Sequence, residues 1–429
     1  MKHLKVVGVI ILALAIALPL ALSACVSEEA PPAAPPAGEP TAPPTAPAKI
    51  KIGAALPLSC WAAADAERPQ LFNYNMWIED LNAEGGIYVK DYDKRIPVEL
   101  ILYDDKCDPG TTVKMYEKLI VEDKVDLLLA PWGTAWHFAV APLINDYGYP
   151  LLGITEASNE LRAQAKYSLP YFFGLENQPL EINTGLNELL VDCGVKSAAV
   201  IYVGTLYGID HTSISLPLLE TSGIDIVLYE SYPLETTDFS PLLKGIKALN
   251  PDAFLAYSYP ADGLLIQEQA MVIDLNPKLF YNSFTGFPDY TDKFGVAAVE
   301  GMVGSGVWNK DLPISGAAEY FDKYVARWDT EPTYECVYGY ATLQIWEDVL
   351  ANVGLNREKQ RDYIATHTFP TVWGNVKFVD QYNVDTEDNP TSNPGVVGQM
   401  QSGVFQPVAP KAKRDALGIE VIYPKPSWP

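Results

Sequence analysis

The stretch VDLLLAPWGTAWHFAVAPLINDYGYPLLG, Val125 to Gly153, decides the fold. Two short apolar runs, VDLLLA and YPLLG, read as buried strands, and FAVAPLINDYG between them has the length and spacing of a helix. Strand, helix and strand in that order make a right-handed crossover between parallel neighbours. At the first join, PWGTAW (Pro131 to Trp136) puts a glycine and a threonine between two tryptophans. Ligands of such sheets bind outside the carboxyl ends of the strands, which is where this small hydroxyl framed by large rings falls.

The alternation continues in both directions. KIKIGAALPL, VELILYDD, AAVIYVG, IDIVLYE, AFLAYSY and LFYNSF read as further strands. FNYNMWIEDLNAEGG, TTVKMYEKLIVED, INTGLNELLVDCG, DFSPLLKGIKALN and GLLIQEQAMVIDL read as helices. This order predicts an α/β protein of two doubly wound parallel-sheet lobes. Length agrees, since 429 residues, 48% of them apolar and 20% charged, exceed one ordinary core. A formal net charge of −24 repels nucleic-acid phosphate, so no nucleic-acid partner is expected. The polar stretch QYNVDTEDNPTSNPG reads as a surface loop before a last strand near GVVGQMQSGVFQPV.

At the N-terminus, Lys2 and Lys5 precede the apolar run VVGVIILALAIALPLAL, which closes on Leu22-Ser23-Ala24-Cys25. That is a secretory pattern, compatible with an ordinary signal peptide or a single membrane span. A cysteine directly after LSA also resembles a bacterial lipobox, which implies a lipoprotein signal peptide over 1–24 and lipidation of Cys25. The following segment, VSEEAPPAAPPAGEPTAPPTAPA, has eight prolines in 23 residues and reads as an extended spacer within a linker over 25–48. At about 3.1 Å per residue it reaches roughly 70 Å from a membrane surface. The expected location is the extracytoplasmic face of the cell membrane, in a periplasm or at the cell surface.

Cys60, Cys107, Cys193 and Cys336 form no CxxC pair and have no histidine at ligand spacing, so no metal site is expected. In an oxidising compartment Cys60 and Cys107 can pair, since each follows a predicted strand; four free thiols is the alternative. GxGxxG, GxxxxGK[ST], GxSxG and HExxH are absent, and the four histidines are scattered, so neither a cofactor nor an enzyme activity is expected. YDDKCDP, Tyr103 to Pro109, reads as a strand-to-helix turn with Asp108 capping the next helix, rather than as paired catalytic acids.

GAALPLS from Gly53, IEDLNAEGG at 78–86, YDDKCDP, VAPLINDYGYPLLG at 140–153, LYG at 206–208, VEGMV at 299–303 and PTYECVYGYATLQIWEDVL at 332–350 follow one another in a recognisable order. Together they resemble the substrate-binding proteins of branched-chain amino acid ABC transporters, the type I periplasmic binding proteins. The resemblance implies two lobes joined by three hinge crossings, with lobe 1 over 49–175 plus 306–375 and lobe 2 over 176–305 plus 376–425. It implies a monomer that closes over a small carboxylate, either a hydrophobic amino acid or an aromatic or aliphatic acid, and delivers it to ABC permease and ATPase subunits. A sensory module for a membrane receptor is the alternative use of the same fold.

By the same resemblance, PWGTAW and GITEAS (153–158) form the carboxylate shelf. Thr134 stands where the family has a serine, with Trp132 and Gly133 beside it, and Thr155 and Ala157 stand on the second wall. A hydroxyl and amide N–H groups at a helix N-terminus suit an anion; a plain helix cap is the other role open to Thr134. Tyr207 and Tyr259 match aromatic positions of the second lobe, and Trp61 adds a ring near the cleft. Phe284 occupies the place of the family's ammonium-binding acid, with Asp262 or Asp289 as substitutes from neighbouring loops. Rings in such a cleft bury an apolar ligand body and also accept a cation.

Overall fold

The computed structural model describes residues 45–383 and 395–429. The signal segment 1–24, Cys25, most of the proline-rich linker and the polar stretch 384–394 lie outside the described residues. Among the described residues no helix is long and apolar enough to cross a membrane.

The strand, helix and strand of 125–153 form in that order, but the two strands do not pair with each other: Leu127–Leu128 pairs with Ile50–Leu56 and Leu151–Gly153 with Phe172–Gly174. Strand Leu127–Leu128 is buried, helix Thr134–Asp146 follows, and strand Leu151–Gly153 returns. The helix buries Trp136, His137, Val140, Ala141 and Ile144, a single face at helical spacing. Its end is set by Gly148, whose φ of 67° lets the Tyr149 N–H reach the Ile144 carbonyl at 2.8 Å and the Gly148 N–H reach that of Asn145 at 3.1 Å. This left-handed stop satisfies carbonyls that the last turn leaves free.

In the first lobe, strand Ile50–Leu56 lies between Val98–Asp104 and Leu127–Leu128, all parallel, with Ile50 opposite Val98 and Leu56 opposite Asp104. Leu151–Gly153 pairs in parallel with Phe172–Gly174, and that sheet continues through Tyr382–Asn383, Gly374–Val379 and Thr368–Thr371. The second lobe is one seven-stranded sheet. Parallel strands Asp225–Tyr232, Ser197–Val203, Ala253–Tyr257, Leu279–Asn282 and Val303–Ser305 are followed by the antiparallel Val397–Gln401 and Val404–Ala409. The chain therefore passes between the lobes after Gly174, after Ser305 and after Asn383.

Several features depart from the sequence reading, among them a lobe boundary, a strand and a helix. Pairing with the sheet that holds Phe172–Gly174 carries the first lobe to Asn383, beyond the boundary expected at 375, because Trp373 is fully buried against Tyr338 (ring centroids 4.2 Å apart) and holds the hairpin 368–379 in this lobe. The expected last strand is two strands, since Ser402 and Gly403 both take positive φ (52° and 83°) and close a two-residue hairpin. A helix over Leu206–Thr221 went unread, because Leu206 and Ile209 are exposed and Pro217 interrupts the run, which leaves no clean apolar stripe.

Candidate functional site

Four helix N-termini converge on one small cavity between the lobes. Thr134 begins the helix after the first-lobe turn, Tyr207 lies in the first turn of Leu206–Thr221, Tyr259 precedes Pro260–Val272, and Glu335 lies in the first turn of Tyr334–Val353. Trp132, Gly133, Thr134, Thr155, Ala157, Tyr207, Tyr259 and Phe284 all line this cavity. Trp61 does not. It stands at the rim, 36% exposed, with its ring 5.7 Å from Trp132 and 5.6 Å from Tyr259.

The shelf is built from local constraints. Gly133, not Thr134, occupies the cap position of its helix, with φ of 87°; a Cβ there would lie 2.9 Å from the Trp136 ring. Thr134 is thereby freed from capping. Its Oγ1 accepts the Ala157 N–H at 3.2 Å, which joins the two walls of the shelf and leaves the hydroxyl proton available. The Gly133 N–H donates to Thr155 Oγ1 at 3.2 Å, and that hydroxyl donates to the Ile154 carbonyl at 2.6 Å. Thr155 itself has φ of 56°, a strained choice for a β-branched residue. The Trp132 Nε1–H is buried without a partner among the described residues, so it is a further free donor at the shelf.

His137, one turn into the helix, is fully buried with Nδ1 2.8 Å from the Gly133 carbonyl. Burial pushes its pKa down to about 4, so at neutral pH the ring is uncharged and donates from Nδ1 to that carbonyl. Its role is to brace the turn.

Rings run continuously across the cleft. Trp132 lies 5.6 Å from Trp136 and 5.8 Å from Tyr259, which lies 5.4 Å from Tyr207. Phe284 stacks 6.1 Å from Tyr207 and 6.4 Å from Tyr334, a ring the sequence reading did not single out. The cavity left between them is about 20 Å³, room for about one water molecule. A ligand the size of an amino acid or benzoate therefore needs the rings or the lobes to move apart.

Two acids missed in the sequence, together with Pro260, complete the lining. Glu176 follows strand Phe172–Gly174 at the first crossing, and Glu335 comes from the first turn of the helix begun by Thr333. Both are more than nine-tenths buried, and burial holds both carboxyls well above the usual range, with the charge of Glu156 adding at Glu176 and that of Glu176 adding at Glu335. Glu176 Oε2 has no hydrogen-bond partner among the described residues. The substitutes expected for the family's acid lie elsewhere. Asp289 pairs with Arg68 at the cleft mouth, and Asp262 lines neither the cavity nor the mouth, although burial pushes it up to about 6. Among the described residues no group of three or more His, Cys, Asp or Glu is placed to hold a metal ion.

The loop carrying Trp61 is tied to the neighbouring strand end. Cys60 and Cys107 form a disulfide with their Cα atoms 5.9 Å apart, beyond the ends of the paired strands Ile50–Leu56 and Val98–Asp104. Asp108 caps the helix Pro109–Lys118 by accepting the Thr111 N–H at 2.6 Å, the structural use read from YDDKCDP.

Comparison with known proteins gives this geometry a context. The chain is 23% identical over 229 residues to Leu/Ile/Val-binding protein homolog 7 of Brucella suis biovar 1 (strain 1330), covering 52% of this chain and 55% of that protein. The chain thus matches about half the length of this curated relative. Among solved structures, the branched-chain amino acid transporter substrate binding protein LivJ from Streptococcus pneumoniae, in complex with isoleucine, superposes with a TM-score of 0.71 at 19% identity, over 83% of this chain and 97% of that one. A solute binding protein of an ABC transporter from R. palustris, in complex with benzoate, gives 0.71 at 16% identity, over 84% and 95%. Both structures share the fold. A model of the periplasmic binding protein family matches residues 49–403, most of the length, and the chain belongs to that family.

Proposed function

We propose that this protein is a lipid-anchored, extracytoplasmic solute-binding protein of an ABC transporter, which captures a small carboxylate ligand between its lobes and delivers it to a membrane permease and its ATPase. The observation that carries the reading is Thr134: a buried hydroxyl with an uncommitted proton, at a helix N-terminus, beside an unpartnered Trp132 N–H, in a cavity walled by rings from both lobes. A carboxylate placed there gains charge-assisted hydrogen bonds and the positive end of the helix dipole. Trp132, Tyr207, Tyr259 and Phe284 would cover its apolar body, and Gly133, Thr155 and Ala157 would shape the shelf. Closure follows from residues of both lobes being needed to surround the ligand, with the three crossings as hinges. A lipid on Cys25 and the proline-rich spacer would hold the domain, as a monomer, near the permease.

Native mass spectrometry of the purified chain tests this. A co-purified small acid or amino acid, lost on partial unfolding and dialysis and restored on titration, is the expected result. A chain that binds no small carboxylate in any titration would remove the reading.

A further inference from the structure

The cavity shares Pro260 and Glu335 with a neighbouring, larger space. At the cleft mouth, about 310 Å³ is enclosed between Asp65, Arg68 and Glu335 of the first lobe and Pro260, Asp289 and Tyr290 of the second. A space of that size takes a small ligand, whereas the inner 20 Å³ takes one only after the rings part.

The charge around the two spaces is one-sided. Their acids are Asp65, Glu67, Glu176, Asp289 and Glu335, and among the described residues their only cation is Arg68, which Asp289 already engages. The helix N-terminus at Tyr334 offsets part of the charge of Glu335, but Glu176 lies outside any helix. Glu176 and Glu335 are each more than nine-tenths buried, and neither side chain has an ion-pair partner among the described residues. Burial holds both carboxyls towards the protonated form until something supplies a counter-charge, and the rings beside them present faces that attract cations. A ligand with a lone carboxylate brings these acids no counter-charge, and in a zwitterion the single ammonium is matched by the ligand's own carboxylate.

We propose that cavity and mouth form one elongated site for a solute of net positive charge, a carboxylate-bearing molecule with two cationic groups. One cationic group lies between Glu176 and Glu335, and the second reaches Asp65 at the mouth. This rests on the solute-binding reading above and names its substrate class. Arg68, held by Asp289, marks the outer limit of the site, and Phe284 can be apolar because the counter-charge comes from the first lobe and the first crossing.

Isothermal titration of the full chain with L-lysine, L-leucine and benzoate tests it. L-lysine is expected to bind at least tenfold more tightly than either other probe, and Asp65→Asn, at a partly exposed position that tolerates the change, is expected to erase that preference. Glu176→Gln is expected to weaken lysine binding at least tenfold, with thermal melts confirming that both variants fold. Leucine or benzoate binding as tightly as lysine overturns the inference and leaves carboxylate capture standing. Binding of none of the three overturns both.

Discussion

Arg68, in the π-helical turn Glu67–Phe72 of the first lobe, forms a salt bridge with Asp289 of the second lobe across the cleft mouth. The pair spans the opening through which a ligand must pass, so it favours the closed arrangement directly. Both side chains are about a third exposed, 29% and 34%, which places the pair with surface bridges worth about 0.2–1 kcal/mol. Asp289→Asn should therefore shift the balance of closed over open forms by about 1.5- to 5-fold. The change is read as a larger radius of gyration in solution scattering and faster ligand release, and 1 M salt should mimic it in the unmodified protein. Identical scattering and release rates would show that ring contacts alone hold the lobes.

Thr134→Val is nearly isosteric and removes one hydroxyl. It leaves the buried Ala157 N–H without its acceptor, a cost of about 1–3 kcal/mol to stability. It also removes a donor to the ligand carboxylate, which should weaken binding by about ten- to a hundredfold. Thr134→Ser keeps the hydroxyl and should retain most of the affinity. Calorimetric titration beside thermal melts separates the two effects, and unchanged affinity in the valine variant removes Thr134 from the site.

Much of this was legible in the sequence because short buried strands and amphipathic helices leave periodic marks. The strand, helix and strand of 125–153 have them, as does the cap at Asp108. The helix Leu206–Thr221 does not, since its exposed Leu206 and Ile209 hide its buried face. The shelf residues were readable from their place at strand ends. Glu176 and Glu335 were not, because an acid after a strand or in a first helical turn usually faces water, and only the packing of the two lobes buries these. Tyr334 escaped notice for the same reason: its partners Phe284 and Phe287 come from the other lobe.

The buried acids make a prediction about pH. Glu176 and Glu335 have folded pKa values raised well above the ordinary 4.5, so above pH 4.5 the unfolded chain sheds protons that the folded chain keeps. That difference favours unfolding by about 1.4 kcal/mol for every tenfold by which the folded carboxyl holds its proton more tightly. It grows as pH rises towards the folded pKa and vanishes below 4.5. Glu335→Gln and Glu176→Gln should each raise Tm at pH 7.5 and leave it unchanged at pH 4. Equal effects at both pH values would show that packing, not protonation, sets the cost. Such a gain in stability at the expense of binding is expected of a site residue.

Phe284 stacks between Tyr207 of its own lobe and Tyr334 of the other and is 5% exposed. Phe284→Ala should cost about 3–5 kcal/mol of stability and weaken ligand binding through lost apolar contact. Phe284→Leu keeps most of the volume and should melt near the unmodified protein while still binding less well, which isolates the ring's own contribution. Tighter binding in the leucine variant would make the ring a steric block rather than a wall.

The disulfide links stability to the position of Trp61. Cys60 and Cys107 are 47 residues apart, and cross-linking a loop of that length removes unfolded-chain entropy worth about 4 kcal/mol. It also anchors the turn whose next residue, Trp61, rests on Trp132 and Tyr259 from both lobes. Replacing both cysteines by serine should lower Tm under oxidising conditions and quicken ligand release, because the rim ring loses its tether. Reductant should bring the unmodified protein down to the level of the double variant and leave the variant unaffected, since Cys193 and Cys336 are free thiols. A variant that loses stability but releases ligand at the original rate would show that ring packing places Trp61 without help from the cross-link.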